Sequence, residues 1–198
     1  AYIVSPGYII GKVFSLGQVG SYAVIALFGV INVFLIRKIV VLFGGTKNMG
    51  MLAGLTFLFA TPAFTYSVSL FQHHISTFLI LLCIFLAFRY RNILSLAVIW
   101  FLCAASIPID YPNLILMLPI GVYAASQIIN AKLIDKRIQI DIKIIRVFSV
   151  LAVILPLLFF MWFNQNSYGN PFQFSGTVPG VKAIDENGKP AAPESENK

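Results

Sequence analysis

The chain has 198 residues, of which 59% are hydrophobic and only 11% charged, with a mean hydropathy of +0.87. Soluble domains average about 25% charged residues, so this composition excludes water as the solvent for most of the chain. The formal charge of +7 raises nucleic acid as a partner, a class that the placement of the charges argues against.

Residues 13–36 carry no charge, nor do 48–88, and only Asp110 interrupts 92–131. A bilayer core takes about 20 apolar residues per helix, so the second and third runs are each long enough for two spans. The expected fold is all-α: a polytopic transmembrane helical bundle of about six spans, at 20–36, 49–66, 72–88, 93–108, 112–129 and 147–163. These form a membrane domain over 1–174, and 175–198 reads as a flexible non-cytoplasmic loop or tail. The chain opens on Ala1 without a signal-peptide pattern and closes on a polar stretch, so a fragment or processed form of a longer protein is expected.

In chain order, the second span carries Pro62, where a kink or early exit is expected. A polar-aromatic turn from Tyr66 to His74 follows. In "SLFQHHISTFLILL" two adjacent histidines open the third span. Neighbours on a helix diverge by about 100°, so His73 and His74 cannot face one centre, and no third ligand of convincing spacing accompanies them. They read as an interfacial helix start, with Ser69, His73 and Thr77 forming a polar stripe on one helical face. Cys83 and Cys103 lie inside apolar spans and read as small packing residues.

Asp110 in "IPIDYP" is the only acid between Ala1 and Lys132. It is either a functional carboxylate at a membrane edge or a solvated loop residue capping the fifth helix. "KLIDKRIQIDIKIIRV" reads as an amphipathic interfacial helix. "FNQNSYGNPFQFSG", residues 163–176, suits a turn and equally a sugar site, its amides meeting hydroxyls and its rings stacking on C–H faces. After Ser175 the chain is polar, aromatic-free and rich in Gly and Pro, with Glu194 and Glu196 solvated. There is no Walker loop, GxSxG or dinucleotide fingerprint.

Ten of the 14 Lys and Arg fall on one side of this segmentation: Arg37, Lys38, Lys47, Arg89, Arg91, Lys132, Lys136, Arg137, Lys143 and Arg146. The positive-inside rule makes that side cytoplasmic, in contact with membrane lipids. Basic charge is thus a topology signal, and no nucleic-acid partner is expected. The uncommon polar residues Gln72, His73, His74, Asp110, Tyr111, Asn113, Asn164, Asn166, Tyr168 and Asn170 fall on the external side.

Three segments in order resemble bacterial polyprenyl-phosphate-dependent membrane glycosyltransferases of the GT-C superfamily, relatives of the protein mannosyltransferases. "SLFQHHISTFLIL" resembles the segment after their short second-to-third span turn. "IDYPNLILMLPIGVYA" resembles a later loop and span with an Asp/Arg-Tyr-Pro entry. "FNQNSYGNPFQFSG" resembles their "N-x-x-x-F-G-x-P-F" segment through Asn164, Tyr168, Gly169, Pro171 and Phe172, and "SPGYIIGKVFSLG" is similar to their opening Pro-Gly stretch.

The resemblance implies transfer of a sugar from a lipid-linked (polyprenyl-phosphate) donor to a glycan, lipid or protein acceptor at the external face of the cell membrane. Such chemistry takes a general base on the acceptor hydroxyl, and cations, hydrogen-bond donors or a divalent metal on the leaving phosphate. No cofactor is certain. The family's catalytic acid lies in the first external loop, upstream of the Pro-Gly stretch, so this chain is expected to lack it. Asp110 would orient acceptor or metal, and His73 would donate to phosphate or sugar. Gln72, His74, Tyr111, Asn164, Tyr168 and Asn170 would shape the substrate site. Of the two histidines His73 is preferred, with His74 an interfacial neighbour. Two other classes compete: a transporter or flippase subunit, suggested by Pro62, Pro108, Pro112 and Pro119 as helix breaks, and a non-catalytic membrane scaffold.

Overall fold

The computed structural model describes residues 3–134 and 137–173, with side chains described outside 130–141. The chain divides into two compact units, Ala1–Val153 and Ile154–Lys198. The tail at 175–198, with Glu194 and Glu196, lies outside the described residues.

The first unit begins with a helix outside the six expected segments, α1 (Ser5–Val13), which has Pro6 in its first turn, where a missing N–H costs nothing. A tight turn through Ser15, at φ 59°, reverses the chain into α2 (Gly17–Leu42), 26 residues long. Thr46 starts α3 (Lys47–Phe59) by accepting the Met49 N–H on its hydroxyl at 3.2 Å. Along one face of α3, Gly50 and Gly54 lie against the backbone of α2. A Cβ at Gly54 would fall 2.6 Å from the Val33 carbonyl oxygen, and one at Gly50 would fall 2.7 Å from that of Arg37. The two helices are therefore in backbone contact at a Gly-x-x-x-Gly step, as small-residue helix pairs are.

The expected second span at 49–66 is two helices. α3 stops at Phe59, and α4 (Ala63–Ser67) starts after Pro62. Proline contributes no N–H to a continuing ladder. The Thr61 hydroxyl bridges the gap, donating to the Phe57 carbonyl at 2.6 Å and accepting from the Ala63 N–H at 3.2 Å. Beyond the next turn lie α5 (His73–Arg89), α6 (Ile93–Ser106) and α7 (Asn113–Ser126). Their shared core holds Cys83 and Ala87 from α5, Ile99 and Leu102 from α6, and Met117 and Ala124 from α7. Cys83 is fully buried there as a free thiol, and Cys103 is a half-buried one.

The expected interfacial helix over 132–147 is replaced by a hairpin. β1 (Ile129–Ile134) and β2 (Arg137–Ile142) pair antiparallel, with Ile129 opposite Ile142 and Ile134 opposite Arg137. "RIQIDI" alternates polar and β-branched residues with period two, a strand pattern that outweighs the looser helical stripe. α8 (Ile144–Val147) and a 3₁₀ helix (Phe148–Val153) complete the unit, the latter packed on α6. The other elements among the described residues are helices.

The second unit contains α9 (Ile154–Tyr168), followed by a turn at Gly169, whose φ of +73° suits glycine.

Two helical stretches are long and apolar enough to cross a membrane: Gly17–Leu42, with mean hydropathy 2.3, and Ile144–Tyr168, with 2.6. α5, α6 and α7 are apolar but shorter. Among the described residues the apolar core also holds fully buried polar side chains, while many large apolar ones face outward. Asn32, His74, Ser106, Asn113 and Asn164 are at most 2% exposed, whereas Leu94, Ile115, Leu118 and Leu155 are at least 60% exposed.

Candidate functional site

The first unit has two chemically distinct ends. At one, the last turns of α2, α5 and α7 meet through aromatic rings: Phe43 on Phe88 at 5.1 Å, and Phe88 on Tyr123 at 5.4 Å. Basic residues cluster here. Lys38 lies over the Phe85 ring and Arg89 over Tyr90, at 5.8 and 5.5 Å.

At the other end, where α3 stops, α5 starts, α6 stops and α7 starts, a linked set of buried polar groups gathers. His74 is 2% exposed. Its Nε2 donates to the Ala63 carbonyl at 2.8 Å, which ties the start of α4 to α5. Its Nδ1 then faces the Asn32 side-chain amide at 3.4 Å, and the same amide nitrogen donates to the His74 carbonyl at 3.0 Å. Gly29 and Phe57 flank the imidazole. Asn32 is fully buried, and its Oδ1 has no hydrogen-bond partner among the described residues.

Two residues further along α5, Ser76 accepts from the Asn113 amide at 2.9 Å, and that amide also donates to the Ser106 carbonyl at 3.0 Å. A single buried side chain at the start of α7 thus joins the start of α5 to the end of α6. The 107–112 turn, which carries Asp110 and Tyr111, is held beside the α5 start by this link.

The expected site residues divide accordingly. His73 is exposed, at the centre of an aromatic trio: Tyr66 edge-on at 4.6 Å and Phe71 stacked at 5.8 Å. His74, expected to be an interfacial neighbour, is the buried one, because helix phase turns consecutive residues about 100° apart. The stripe of Ser69, His73 and Thr77 does not form, since α5 begins at His73 and Ser69 lies in the preceding turn, its hydroxyl donating to the Thr65 carbonyl. Gln72 is the exposed residue before α5, and its backbone carbonyl accepts from Ile75 and Ser76.

Asp110 is half-buried and does not cap α7; Pro112 precedes that helix without a side-chain cap. The Asp110 backbone carbonyl accepts the Asn113 N–H at 3.0 Å instead. Tyr111 is half-buried beside it.

Asn164, Tyr168 and Asn170 belong to the second unit. The buried Asn164 amide donates to the carbonyls of Pro171 and Gln173, at 3.1 and 2.9 Å, and Asn170 accepts the Phe172 N–H at 3.0 Å. Tyr168 is edge-on to Phe163. Of the turn and sugar readings left open by composition, these bonds build the turn, and both amide donors of Asn164 are engaged in it.

Asn32 was not anticipated from sequence. It is the only Asn in the uncharged run 13–36, and an amide in the interior of such a run is the available signal. Among the described residues no three His, Cys, Asp or Glu side chains come together as a metal would require, so no step is assigned to one. Comparison with family models, with curated proteins and with solved structures finds no match.

Proposed function

We propose that this chain is part of an integral-membrane glycosyltransferase that moves a sugar from a polyprenyl-phosphate donor to an acceptor at the external face. In this reading the helices lie in the bilayer as a multi-pass bundle. The basic end is cytoplasmic and the polar end external. The supporting observation is the concentration of uncommon side chains at one end of an otherwise apolar-surfaced unit. An aromatic trio of exposed Phe71 and His73 with half-buried Tyr66 adjoins a buried Asn32–His74 pair and the turn carrying Asp110. Ring faces and edges suit the C–H surfaces of a sugar. Asp110 is the sole carboxylate among the described side chains, and with His73 it is a candidate to take a proton from an acceptor hydroxyl or to orient it.

The helix break at Ala60–Pro62 and Pro119 inside α7 favour a second reading, a transporter or flippase subunit. One assay separates the two. The intact protein is placed in vesicles with polyprenyl-phosphate sugar labelled in the sugar. Transfer of label to an acceptor, falling about tenfold or more in Asp110→Asn and His73→Ala, is the expected result. Unchanged transfer in both variants removes these residues from the site, and passage of uncleaved donor across the bilayer favours transport. Orientation is read separately with Lys47→Cys, which should react with an impermeant thiol reagent from the cytoplasmic side only.

A further inference from the structure

The turn that carries Asp110 takes its local shape from its own backbone. Pro108 and Pro112 stand on either side of the acid, each locking φ and lacking an N–H. The Ser106 carbonyl accepts the Ile109 and Asp110 N–H groups at 3.3 and 3.2 Å, and the Asp110 carbonyl accepts the Asn113 N–H at 3.0 Å. Asp110 is thus held at both of its peptide groups, and none of these bonds uses its carboxylate.

Those bonds shape the turn without placing it against α5. The Asn113 side chain does the placing. Its nitrogen carries two protons. One goes to the Ser106 carbonyl, the same oxygen that anchors the Asp110 N–H, and the other to the Ser76 hydroxyl in the first turn of α5. Asn113 and Ser76 are 1% and 6% exposed, so water does not compete for either bond and both are strengthened by their surroundings. Helix capping does not account for the amide, because α7 starts after Pro112 without a side-chain cap.

We propose that Asn113 is a positioning residue for the candidate site. It sets the place of the Asp110 backbone relative to the start of α5, where His73 stands three residues before Ser76. The role rests on the sugar-transfer reading, in which Asp110 acts on the acceptor hydroxyl. Displacing such a group by about 1 Å costs up to about a hundredfold in rate, so a residue that touches no substrate gains leverage over the chemistry.

The test uses the intact protein in the vesicle assay above, with kcat and the donor KM measured separately. Ser76→Ala removes the α5 anchor and leaves the Ser106 bond in place; Asn113→Ala removes both. Each should lower kcat about tenfold or more, with the donor KM within about twofold of the unmodified value. Asn92→Ala is the control for lost stability: it deletes a helix cap at the opposite end, where Asn92 accepts the Ser95 N–H at 2.8 Å, and should leave both constants unchanged. If Asn113→Ala does not fold, Ser76→Ala decides alone. Loss of transfer in Asp110→Asn with kcat retained in Ser76→Ala and in any folded Asn113→Ala overturns the positioning role and leaves the site standing. An equal fall of kcat in Asn92→Ala overturns it too, as an effect of stability. Full transfer in Asp110→Asn removes Asp110 from the site, and the role of Asn113 falls with it.

Discussion

The Asn32 amide nitrogen reaches His74 twice, at 3.0 Å to its backbone carbonyl and 3.4 Å to Nδ1. Because His74 Nε2 faces the Ala63 carbonyl, that nitrogen must carry the ring proton, which leaves Nδ1 to accept from Asn32. The pair fixes the imidazole from both sides and joins α2, α4 and α5 through one side chain.

Asn32→Leu and His74→Ala should therefore be coupled. Buried side-chain hydrogen bonds between membrane helices are worth about 0.6 kcal/mol on average and up to about 1.7 kcal/mol. A double-mutant cycle on denaturation in detergent should return a coupling in that range. A cycle that closes at zero would show that the two residues act independently.

The Gly54 contact gives a sharper prediction. Gly54→Val inserts a branched side chain where even a Cβ would lie 2.6 Å from the Val33 carbonyl oxygen, so overpacking should cost about 1–3 kcal/mol. Gly121 is the control: its nearest neighbour to an added Cβ is a Trp100 ring carbon at 3.9 Å, so Gly121→Ala should unfold at or slightly above the unmodified temperature. Thermal unfolding of both variants in the same detergent measures the contrast.

Asn164→Ala predicts a local effect. Loss of the two amide bonds to Pro171 and Gln173 should raise hydrogen exchange or protease cleavage across 169–173. The protection of α5–α7 should stay unchanged. Cleavage spread evenly over the chain would contradict a local turn role for Asn164.

Much of the helical layout was legible because hydropathy needs no partner: an uncharged run such as 48–88 declares itself residue by residue. What was hidden depends on phase and on neighbours. Which of His73 and His74 turns inward depends on helix phase, and uniformly apolar flanks leave no stripe from which to read it. The importance of Asn32 depends on His74, 42 positions away. The strand in "RIQIDI" was missed because the same residues also fit a helical stripe, and only the pairing of Ile129 with Ile142 decides between them. Gly50 and Gly54 stand four apart in plain view, but spacing alone does not say which backbone they meet.

The helices of the first unit are unequal in reach. At 1.5 Å per residue, α2 with 26 residues extends about 39 Å, whereas α6 and α7 with 14 residues each extend about 21 Å. Against a hydrocarbon layer of about 30 Å, one helix overshoots and two fall short. No single flat membrane matches all three. In the proposed bundle, lipid around α6 and α7 would thin while α2 leans, and acyl-chain length would become a variable to which the protein responds.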